Sequence, residues 1–387
     1  MRKLHAISII LVFTILITFP FLTIKTEAQS TTVTIRSDGS VYPPTAPIVR
    51  RPNTSGPIQY YFSSDMNGPL VIQCQWINVD GANHTLNGGG IQVSATSVEI
   101  HNLTIKNCDT GIYVTQNGAD EHFYNNLLIN NTYGIFLGNT NYMFGHYLIN
   151  NTIVNCQNAI RLYNAPHVEI EGNTFSYSLS LPSWWPIRSY YSDYITIKRN
   201  SIIGRNDSVA IDIDENTVSP TQYHVIEGNL ISRFSTGLRM QGNSCSIKSN
   251  NFSYSDTGID FFGSKKNNLT GNYIVSNKIG LKLAASADNQ IHYNYFLNNL
   301  VQVGTSDQYD AFDDGSHGNY WSNYNGTDSN HDGIGDTPFV ISGFNVDRYP
   351  FYSIITVPEI STIGILVLLV LVVSTTVALR RKATYRK

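Results

Sequence analysis

Residues 247–283 read IKSNNFSYSDTGIDFFGSKKNNLTGNYIVSNKIGLKL, and this stretch contains the same short pattern twice. An Asn lies two residues before an apolar residue at Asn250 and again at Asn272, and a Gly follows eight residues after each, at Gly258 and Gly280. Each Gly opens a run in which apolar and polar residues alternate, which is the period of a β-strand. The stretch therefore predicts short strands that recur at a fixed interval, with Asn and Gly at the bends.

This Asn recurs along most of the chain. It is found at Asn126, Asn151, Asn173, Asn200, Asn229, Asn250, Asn272 and Asn294, with spacings of 25, 22, 27, 29, 21, 22 and 22 residues. The small residue that opens the following strand recurs in Gly111-Ile112, Gly134-Ile135, Ala159-Ile160, Gly237-Leu238, Gly258-Ile259 and Gly280-Leu281. A third apolar segment precedes each Asn. A repeat of this length is typical of a solenoid.

Three short strands per repeat predict an all-β fold, a single-stranded right-handed parallel β-helix in which each coil adds one strand to each of three sheets. Helical repeats are excluded because no segment carries an apolar stripe of helical period. Coils stacked about 4.8 Å apart place like residues over one another, so the repeated Asn can hydrogen-bond to the Asn above and below. Gly172, Gly228 and Gly271 are expected to adopt the left-handed conformation of tight turns.

The overall composition excludes one class of protein. The chain has 387 residues, 25 Lys and Arg against 28 Asp and Glu, and a net charge of -3. A near-neutral balance argues against nucleic acid as a partner. The oligomeric state does not follow from the sequence.

The two ends predict where the protein is located. Arg2 and Lys3 precede an apolar stretch, and a small-residue cleavage site at residues 26–28 completes a signal peptide over residues 1–28. Residues 360–379 carry no charge and are long enough to span a bilayer, and the basic tail at residues 380–387 is expected to stay in the cytoplasm. These features predict a cell-surface protein that is anchored in the membrane by a C-terminal helix.

Between these ends the sequence divides into three parts. Residues 31–90 are assigned to an N-terminal cap and the first strands, residues 91–305 to the β-helix repeats, and residues 306–352 to a C-terminal cap with an Asp-rich loop. Caps at both ends would cover sheet edges that otherwise invite aggregation.

Several segments resemble a known family. Residues 79–86 are similar to a strand near the start of that family's β-helix, residues 34–50 to its N-terminal cap, and residues 319–338 and 345–350 to its C-terminal cap. The chain therefore resembles the carbohydrate-binding and sugar-hydrolysis (CASH) β-helix proteins, and among them the NosD-type, periplasmic copper-binding-protein-like repeats of archaeal surface proteins. The resemblance implies a pectin-lyase-like solenoid over residues 31–352. It does not specify an activity.

One column of outward side chains is the first place to look for chemistry. In the strand that begins with the small residue, the position after the inward Ile or Leu must point outward. Read down the stack, that position holds Tyr113, Phe136, Arg161, Arg188, Asp212, Arg239, Asp260 and Lys282, followed by Gln302. From Asp212 onward the charges alternate, and a surface ion-pair ladder is the simpler explanation for that alternation.

Asp212 and Asp214 are the catalytic candidates. They are two residues apart on one strand, so both are expected to face solvent with Cα atoms about 6.6 Å apart. Such a pair could serve a glycosidase. Arg188 and Arg239 flank Asp212 and should keep it ionised, which suits a nucleophile but not a general acid. A pectate-lyase-like reaction is a further alternative, for which Arg161 and Arg188 supply the residue types but no diagnostic motif.

Aromatic residues near this column are candidates for sugar binding. An insertion at residues 178–185 contains Trp184 and Trp185, Tyr190 and Tyr191 follow it, and the next coil has extra residues around Arg205 and at residues 216–222. Aromatic rings stack on sugars, although they also pack loops onto a solenoid wall. The predicted substrate-binding set is Trp184, Trp185, Arg188, Arg161, Tyr190 and Tyr191.

A calcium site is predicted in the C-terminal cap. Asp328, Asn330, Asp332 and Asp336 provide oxygen side chains at loop positions 1, 3, 5 and 9, with Gly333 at position 6. Position 12 is Phe339 rather than Glu, so a full EF-hand is excluded. An Asx-rich turn without an ion is the alternative.

Copper is not supported by the sequence. The ten His and four Met residues form no close cluster of imidazole or soft ligands. Cys74, Cys108, Cys156 and Cys245 are too scattered for a disulfide framework and are expected to be buried thiols.

These features favour a membrane-anchored surface protein that binds extracellular polysaccharide or forms part of a surface layer. The alternatives are a polysaccharide hydrolase or lyase that acts over the outer strand face, a NosD-like metal-handling protein, and a structural adhesin stalk. The features leave enzymatic activity uncertain.

Overall fold

The computed structural model describes residues 31–52, 55–140, 145–178, 184–214, 221–304 and 308–353. Within these ranges the chain forms short β-strands and no helix, wound as a right-handed-type solenoid of about 11 turns. The predicted β-helix is confirmed. Strands are numbered below in chain order.

Sheet A carries the outer face on which the candidate site lies. Its members are β1 (Val33–Ile35), β2 (Val41–Tyr42), β6 (Leu70–Ile72), β9 (Ile91–Val93), β12 (Thr110–Val114), β15 (Tyr133–Gly138), β18 (Asn158–Tyr163), β21 (Trp185–Tyr190), β24 (Val209–Asp214), β27 (Thr236–Met240), β30 (Thr257–Phe262), β33 (Ile279–Ala284) and β36 (Val301–Gly304). From β1 through β6 to β36 the neighbouring strands are parallel, and β2 pairs antiparallel with β1 at the edge.

Sheet B is formed by the first strand of each coil. It contains β3 (Ile48–Arg50), β4 (Ile58–Phe62), β7 (Ile77–Asp80), β10 (Val98–His101), β13 (His122–Tyr124), β16 (His146–Ile149), β19 (Val168–Glu171), β22 (Thr196–Lys198), β25 (Val225–Glu227), β28 (Ser246–Lys248), β31 (Asn268–Thr270) and β34 (Gln290–His292). The edge strand β3 runs antiparallel to β4, so the N-terminal ends of sheets A and B both finish in a reversed strand.

Sheet C follows sheet B in each coil. It contains β5 (Met66–Asn67), β8 (Thr85–Asn87), β11 (Thr104–Lys106), β14 (Leu127–Ile129), β17 (Thr152–Val154), β20 (Thr174–Ser176), β23 (Ser201–Ile203), β26 (Leu230–Ser232), β29 (Asn251–Ser253), β32 (Tyr273–Val275), β35 (Tyr295–Leu297) and β37 (Tyr320–Trp321). A small antiparallel pair, β38 (Phe339–Val340) and β39 (Val346–Asp347), lies in the C-terminal cap.

The core consists of apolar columns inside the solenoid. In sheet A, Ile112, Ile135 and Ile160 are in register on successive strands and are fully buried. Each such side chain contributes roughly 1.5–3 kcal/mol by leaving water. The alternation of a strand sends the residues between them outward, so the same pattern that builds the core also builds the outer columns.

The repeated Asn forms a continuous buried ladder at the turn between sheets B and C. The backbone N–H and the Nδ2 group of Asn229 both donate to Oδ1 of Asn250, at 2.9 Å each, and Nδ2 of Asn229 also donates to the carbonyl of Ile197 at 2.8 Å. The same arrangement connects Asn126, Asn151, Asn173, Asn200, Asn229, Asn250, Asn272, Asn294 and Asn319. The predicted role of this Asn is confirmed. Gly172, Gly228 and Gly271 have φ near 65°, the left-handed conformation expected of them.

The C-terminal cap supplies the acceptor that this ladder needs at its last rung. The backbone N–H of Asn319 donates to a carboxylate oxygen of Asp347 at 2.7 Å, and Nε1 of Trp321 donates to the same oxygen at 2.7 Å. Burial raises the pKa of Asp347 to about 6. A second ladder, between sheets A and B, runs through Asn289 and Asp310 to Asn345 in the same cap.

The two predicted terminal segments, residues 1–28 and 360–387, lie outside the described residues. In the ranges given above, no helix is long and apolar enough to cross a membrane.

Candidate functional site

The outward column of sheet A follows the predicted register over eight strands. Neighbouring strands pair Tyr113, Phe136, Arg161, Arg188, Asp212, Arg239, Asp260 and Lys282 in that order. The expectation for the ninth position is wrong, because Lys282 pairs with Gly304. Gln302 is buried, and its side-chain oxygen accepts a hydrogen bond from Asn299 at 2.9 Å.

Asp212 is the centre of the charged part of the column. Nε and Nη2 of Arg239 donate to its two oxygens at 2.7 and 2.8 Å, and Nε of Arg188 lies 3.1 Å from one of them. The Asp212 side chain is 0% exposed. The prediction that it faces solvent is therefore wrong, because the two long arginine side chains lie over the shorter carboxylate. A carboxylate in this position neutralises arginines and is not open to a sugar ring.

The strand of Asp212 ends at Asp214, whose backbone pairs with Tyr190. The side chain of Asp214 lies outside the described part of the structure, as do residues 215–220 and 179–183 of the two predicted insertions.

The two halves of the column differ in charge compensation. In the C-terminal half, Nζ of Lys282 is 3.1 Å from a carboxylate oxygen of Asp260, which fits the ion-pair ladder. In the N-terminal half, Arg161 makes no ion pair with any carboxylate of the described residues. Its Nη1 donates to the Tyr133 hydroxyl at 3.3 Å, and its Nε is buried without a hydrogen-bond partner there.

Aromatic rings surround the arginines of the N-terminal half. The guanidinium of Arg161 is 5.7 Å from the ring centres of Tyr133, Phe136 and Tyr190. Arg188 lies 4.1 Å above the ring of Trp185 and 4.7 Å from that of Tyr190. We call Tyr133, Phe136, Arg161, Trp185, Arg188 and Tyr190 the arginine–aromatic patch. Four of the six residues predicted to bind substrate are brought together in it.

The other two predicted residues lie elsewhere. Trp184 is 1% exposed and stacks between Tyr177 and Phe234, at 5.4 and 5.5 Å between ring centres, so its assignment to sugar binding is wrong. Adjacent residues on a strand point to opposite sides, and the inward side is the core. Tyr191 is exposed at the turn after sheet A and packs edge-on against Tyr163 at 5.6 Å.

Tyr133 and Phe136 are site residues that the sequence reasoning did not assign to binding. Tyr133 and Asn158 are in register, as are Asn158 and Trp185, so Tyr133 and Trp185 lie on one side of the arginines. Tyr133 and Trp185 each begin a sheet A strand, three residues before the outward residue of that strand. This shared position is the sequence signal from which Tyr133 could have been predicted.

A stack of aromatic residues continues around the corner into sheet B. His167, Tyr194 and Tyr223 occupy the same turn position on three successive coils, with ring centres 4.7 and 5.2 Å apart. All three have positive φ, between 57° and 62°, a conformation that bulky residues rarely adopt. A recess of about 340 Å³ adjoins them and is lined by Tyr147 and Glu169 as well as His167 and Tyr194.

A larger groove, of about 960 Å³, runs along the turn between sheets C and A near the C-terminal end. Its floor includes Asn277 and Asn299, and its charged residues Asp256 and Lys278 pair with each other at 2.6 Å. The groove is larger than the recess, but its charges are compensated, so we place the candidate site at the arginine–aromatic patch.

The predicted calcium loop is folded by its own hydrogen bonds. A carboxylate oxygen of Asp336 accepts from the hydroxyls of Thr327 and Ser329, at 2.8 and 2.7 Å. Asp328 accepts the backbone N–H groups of Asp332 and Gly333 at 3.2 and 3.0 Å. Asp336 is thus turned towards other partners than Asp328. Within the described ranges, no three His, Cys, Asp or Glu residues are grouped so that they could hold a metal ion.

Thiol and imidazole groups are mostly structural. All four cysteines are buried and free, and burial raises the pKa of Cys156 to about 11. His224 is buried, and its Nδ1 accepts the backbone N–H of Ile195 at 3.2 Å. Burial lowers its pKa to about 4. His146 is fully buried 2.8 Å from a carboxylate oxygen of Glu121, a pair that the sequence did not reveal.

The fold and the site define a class: a parallel β-helix with an open face of arginine and aromatic residues rather than a closed pocket. The chain belongs to the family of periplasmic copper-binding proteins (NosD), whose model matches residues 53–218 and 190–326. The predicted family resemblance is confirmed, and the archaeal origin stays a prediction.

Two curated relatives carry the name probable ABC transporter binding protein NosD. The protein of Stutzerimonas stutzeri is 36% identical over 89 residues, which are 22% of this chain and 20% of that protein. The protein of Pseudomonas aeruginosa is 39% identical over 90 residues, 22% of this chain and 21% of that protein. The matched stretch thus spans about a fifth of each relative.

Solved structures with a similar fold share less sequence identity with this chain than the curated relatives do. The periplasmic alginate epimerase AlgG is 13% identical, with 67% of this chain and 74% of that chain covered and a TM-score of 0.49. The catalytic domain of a GH87 alpha-1,3-glucanase in complex with nigerose is 11% identical, with 66% and 61% covered and a TM-score of 0.44.

The family description names copper, and the described residues do not fit a copper site. Copper prefers thiolate, thioether and imidazole ligands. Here Met66 and Met240 are buried in the core, as is Cys156 with its raised thiol pKa. His224 uses one ring nitrogen to accept a backbone N–H, and its other nitrogen lies 2.7 Å from the Thr221 hydroxyl.

Proposed function

We propose that this protein is an extracellular β-helix module that binds polysaccharide on the outer face of sheet A, at the arginine–aromatic patch. The observation that carries the proposal is the pair of aromatic borders, Tyr133 and Trp185 on one side and Tyr163 and Tyr190 on the other, along a row of guanidinium groups. Aromatic rings provide flat apolar surfaces for sugar rings, and arginines supply donors for hydroxyl groups.

The geometry favours binding over cleavage. The patch is an open strand face, so it can accept an inner segment of a long chain as well as a chain end. The hydrolase alternative needs two accessible carboxylates, and Asp212 is covered by Arg188 and Arg239. Binding without turnover is therefore the function that we propose.

Neighbouring tryptophans give a matched test of this proposal. Trp185→Ala removes a ring at the patch and the support on which Arg188 lies, so we expect glycan affinity to fall about tenfold or more with little loss of stability. Trp184→Ala leaves a cavity in the core, so we expect the free energy of unfolding to fall by about 3–5 kcal/mol with affinity retained in the folded fraction. Affinity is measured by calorimetry against glycans found on an array, and stability by thermal unfolding.

Equal affinity of Trp185→Ala and the wild type would contradict the proposed site. Failure of the wild type to bind any glycan on the array would contradict the proposed function and favour a structural stalk. Release of reducing ends that Asp214→Asn abolishes would favour the hydrolase instead.

We also propose that residues 360–379 anchor the protein in the membrane after removal of residues 1–28, which would hold the binding face at the cell surface. The uncharged segment and the basic residues after it support this proposal. Fractionation of cells that express the full chain tests it: the protein should stay in the membrane pellet after an alkaline wash, and a chain that ends at residue 353 should not.

A further inference from the structure

We propose that the ligand of the patch is an acidic polysaccharide, and that Arg161 and Arg188 bind its negatively charged groups. This inference rests on the proposed function and specifies its substrate class. It is argued from the charge balance of the patch, from the surroundings of Arg161, and from the register of the two arginines.

The first argument is the charge balance. Arg161, Arg188 and Arg239 lie in the outward column on β18, β21 and β27. In that column, Asp212 on β24 is the carboxylate between Arg188 and Arg239. Asp212 is bound through both of its oxygens by Arg239, and Nε of Arg188 lies 3.1 Å from one of them. The whole column from Arg161 to Lys282 holds four cations and two carboxylates, a net charge of +2 on a chain of net charge -3. The positive charge is concentrated at its Arg161 end.

The second argument is the register. Arg161 and Arg188 are directly paired on neighbouring parallel strands, about 4.8 Å apart. Like charges in this position destabilise a sheet. The ring of Tyr190 lies near both guanidinium groups, with its centre 5.7 Å from that of Arg161 and 4.7 Å from that of Arg188, and its contact with both cations offsets part of that repulsion. An oxyanion bound by both arginines would remove the rest.

The third argument is the comparison with Arg205. That residue also lies over a tyrosine ring, 5.4 Å from Tyr177, but Nη2 is paired with Asp207 at 2.9 Å. Arg161 has the aromatic contacts, but no carboxylate of the described residues pairs with it. A guanidinium that is held by rings and lacks a counter-ion is preorganised for one supplied by a ligand, and its planar fork matches carboxylate and sulfate oxygens.

The test uses the full chain in a non-ionic detergent, with polygalacturonate, dextran sulfate and uncharged dextran as probes. We expect the wild type to bind an acidic probe more tightly than dextran, with an affinity that falls as NaCl is raised. Arg161→Gln should weaken that binding about tenfold or more, because charge-assisted hydrogen bonds are lost. The control Arg205→Gln should change it less than twofold.

Thermal unfolding separates a binding role from a structural one. Since Arg161 has a like-charged neighbour, Arg161→Gln should unfold at the same temperature as the wild type or higher. Binding of polygalacturonate assigns the carboxylate, and binding of dextran sulfate alone assigns the sulfate ester.

Equal effects of Arg161→Gln and Arg205→Gln, or tighter binding of dextran than of both acidic probes, would overturn the inference and leave the proposed function standing. Absence of binding to all three probes and to every glycan on the array would overturn both.

Discussion

Asn125 and Asn126 are neighbours in the chain but have different roles. Asn126 is buried, and its Nδ2 donates to Oδ1 of Asn151 and to the carbonyl of Ile100, at 3.1 and 2.8 Å. Its Oδ1 accepts the backbone N–H of Leu103 at 3.1 Å. Asn125 is exposed, with φ of 55°. One residue serves the ladder and the other serves the turn.

The pair provides a prediction about the ladder. Asn126→Ala leaves buried donors and acceptors without partners, so we expect the free energy of unfolding to fall by about 2–4 kcal/mol. Asn125→Gly places a residue suited to positive φ where Gly172 stands in a later coil, so we expect a change below about 1 kcal/mol. Thermal unfolding monitored by circular dichroism measures both. Equal losses in the two variants would show that the ladder does not contribute specifically.

His224 makes stability depend on pH. Its pKa in the folded protein is lowered to about 4 from the ordinary 6.5, because the ring is buried. The neutral form is therefore favoured by folding, so this contribution is complete above pH 6.5 and is lost as pH falls towards 4, by about 3 kcal/mol in total. His224→Gln should remove this part of the acid sensitivity. Unfolding curves of the variant and the wild type between pH 7 and pH 4 that stay parallel would contradict the prediction.

At the scale of elements, the caps differ from the coils in how they use polar groups. The coils repeat one bond pattern, whereas the C-terminal cap ends the ladder between sheets B and C with the carboxylate of Asp347. A carboxylate suits this place because it accepts hydrogen bonds and donates none when ionised. Asp347 accepts from Asn319, Trp321 and Tyr349, so this one side chain connects the segment around β37 with its own segment around β39.

The Asp-rich loop of this cap gives a prediction about calcium, which stays a proposal. Binding would require Asp336 to exchange its bonds to Thr327 and Ser329 for the ion. We expect Ca²⁺ to raise the unfolding temperature of the wild type by binding only the folded loop, and Asp332→Asn to abolish that shift. Identical unfolding temperatures of the wild type in CaCl₂ and in EDTA would leave the loop as an Asx-rich turn.

The register of sheet A shows where prediction from sequence succeeds and where it fails. A small residue marks the same point in many coils, so the outward column could be aligned from Tyr113 to Lys282. That mark is missing in the last strand, and the predicted position, Gln302, is two residues too early. Val301 pairs with Ile279 and Val303 with Leu281. Gln302 falls between them, at the level of Gly280, and a side chain there points inward.

At the scale of the whole molecule, the fold was predictable because its determinants are local and repeated. The site was only partly so, because it depends on contacts between coils. The burial of Trp184 needs Phe234 from two coils further on, and the covering of Asp212 needs two arginines from flanking coils. The first contact leaves no mark at a fixed spacing in the sequence. The second pair of neighbours could be aligned from the repeat, but the burial of Asp212 under them could not.

The open face also sets how a polymer could lie on the molecule. The patch extends across strands β15, β18 and β21, and the stack of His167, Tyr194 and Tyr223 lies around the next corner. A chain that runs along the solenoid would meet one rung after another, so its contacts would add up with length. Longer oligosaccharides should therefore bind more tightly than short ones at equal sugar concentration.

In the buried ladder, the hydrogen bonds from one Asn to another all run from a coil to the next coil in the chain, so the ladder has a direction that ends at Asp347. Duplication of one entire coil would lengthen the solenoid by one coil and keep the ladder's hydrogen bonds between successive coils. Loss of one residue inside a coil would move its Asn out of register and break the ladder's hydrogen bonds at that point. Change in length by whole units is thus the mode of evolution that this architecture permits most readily.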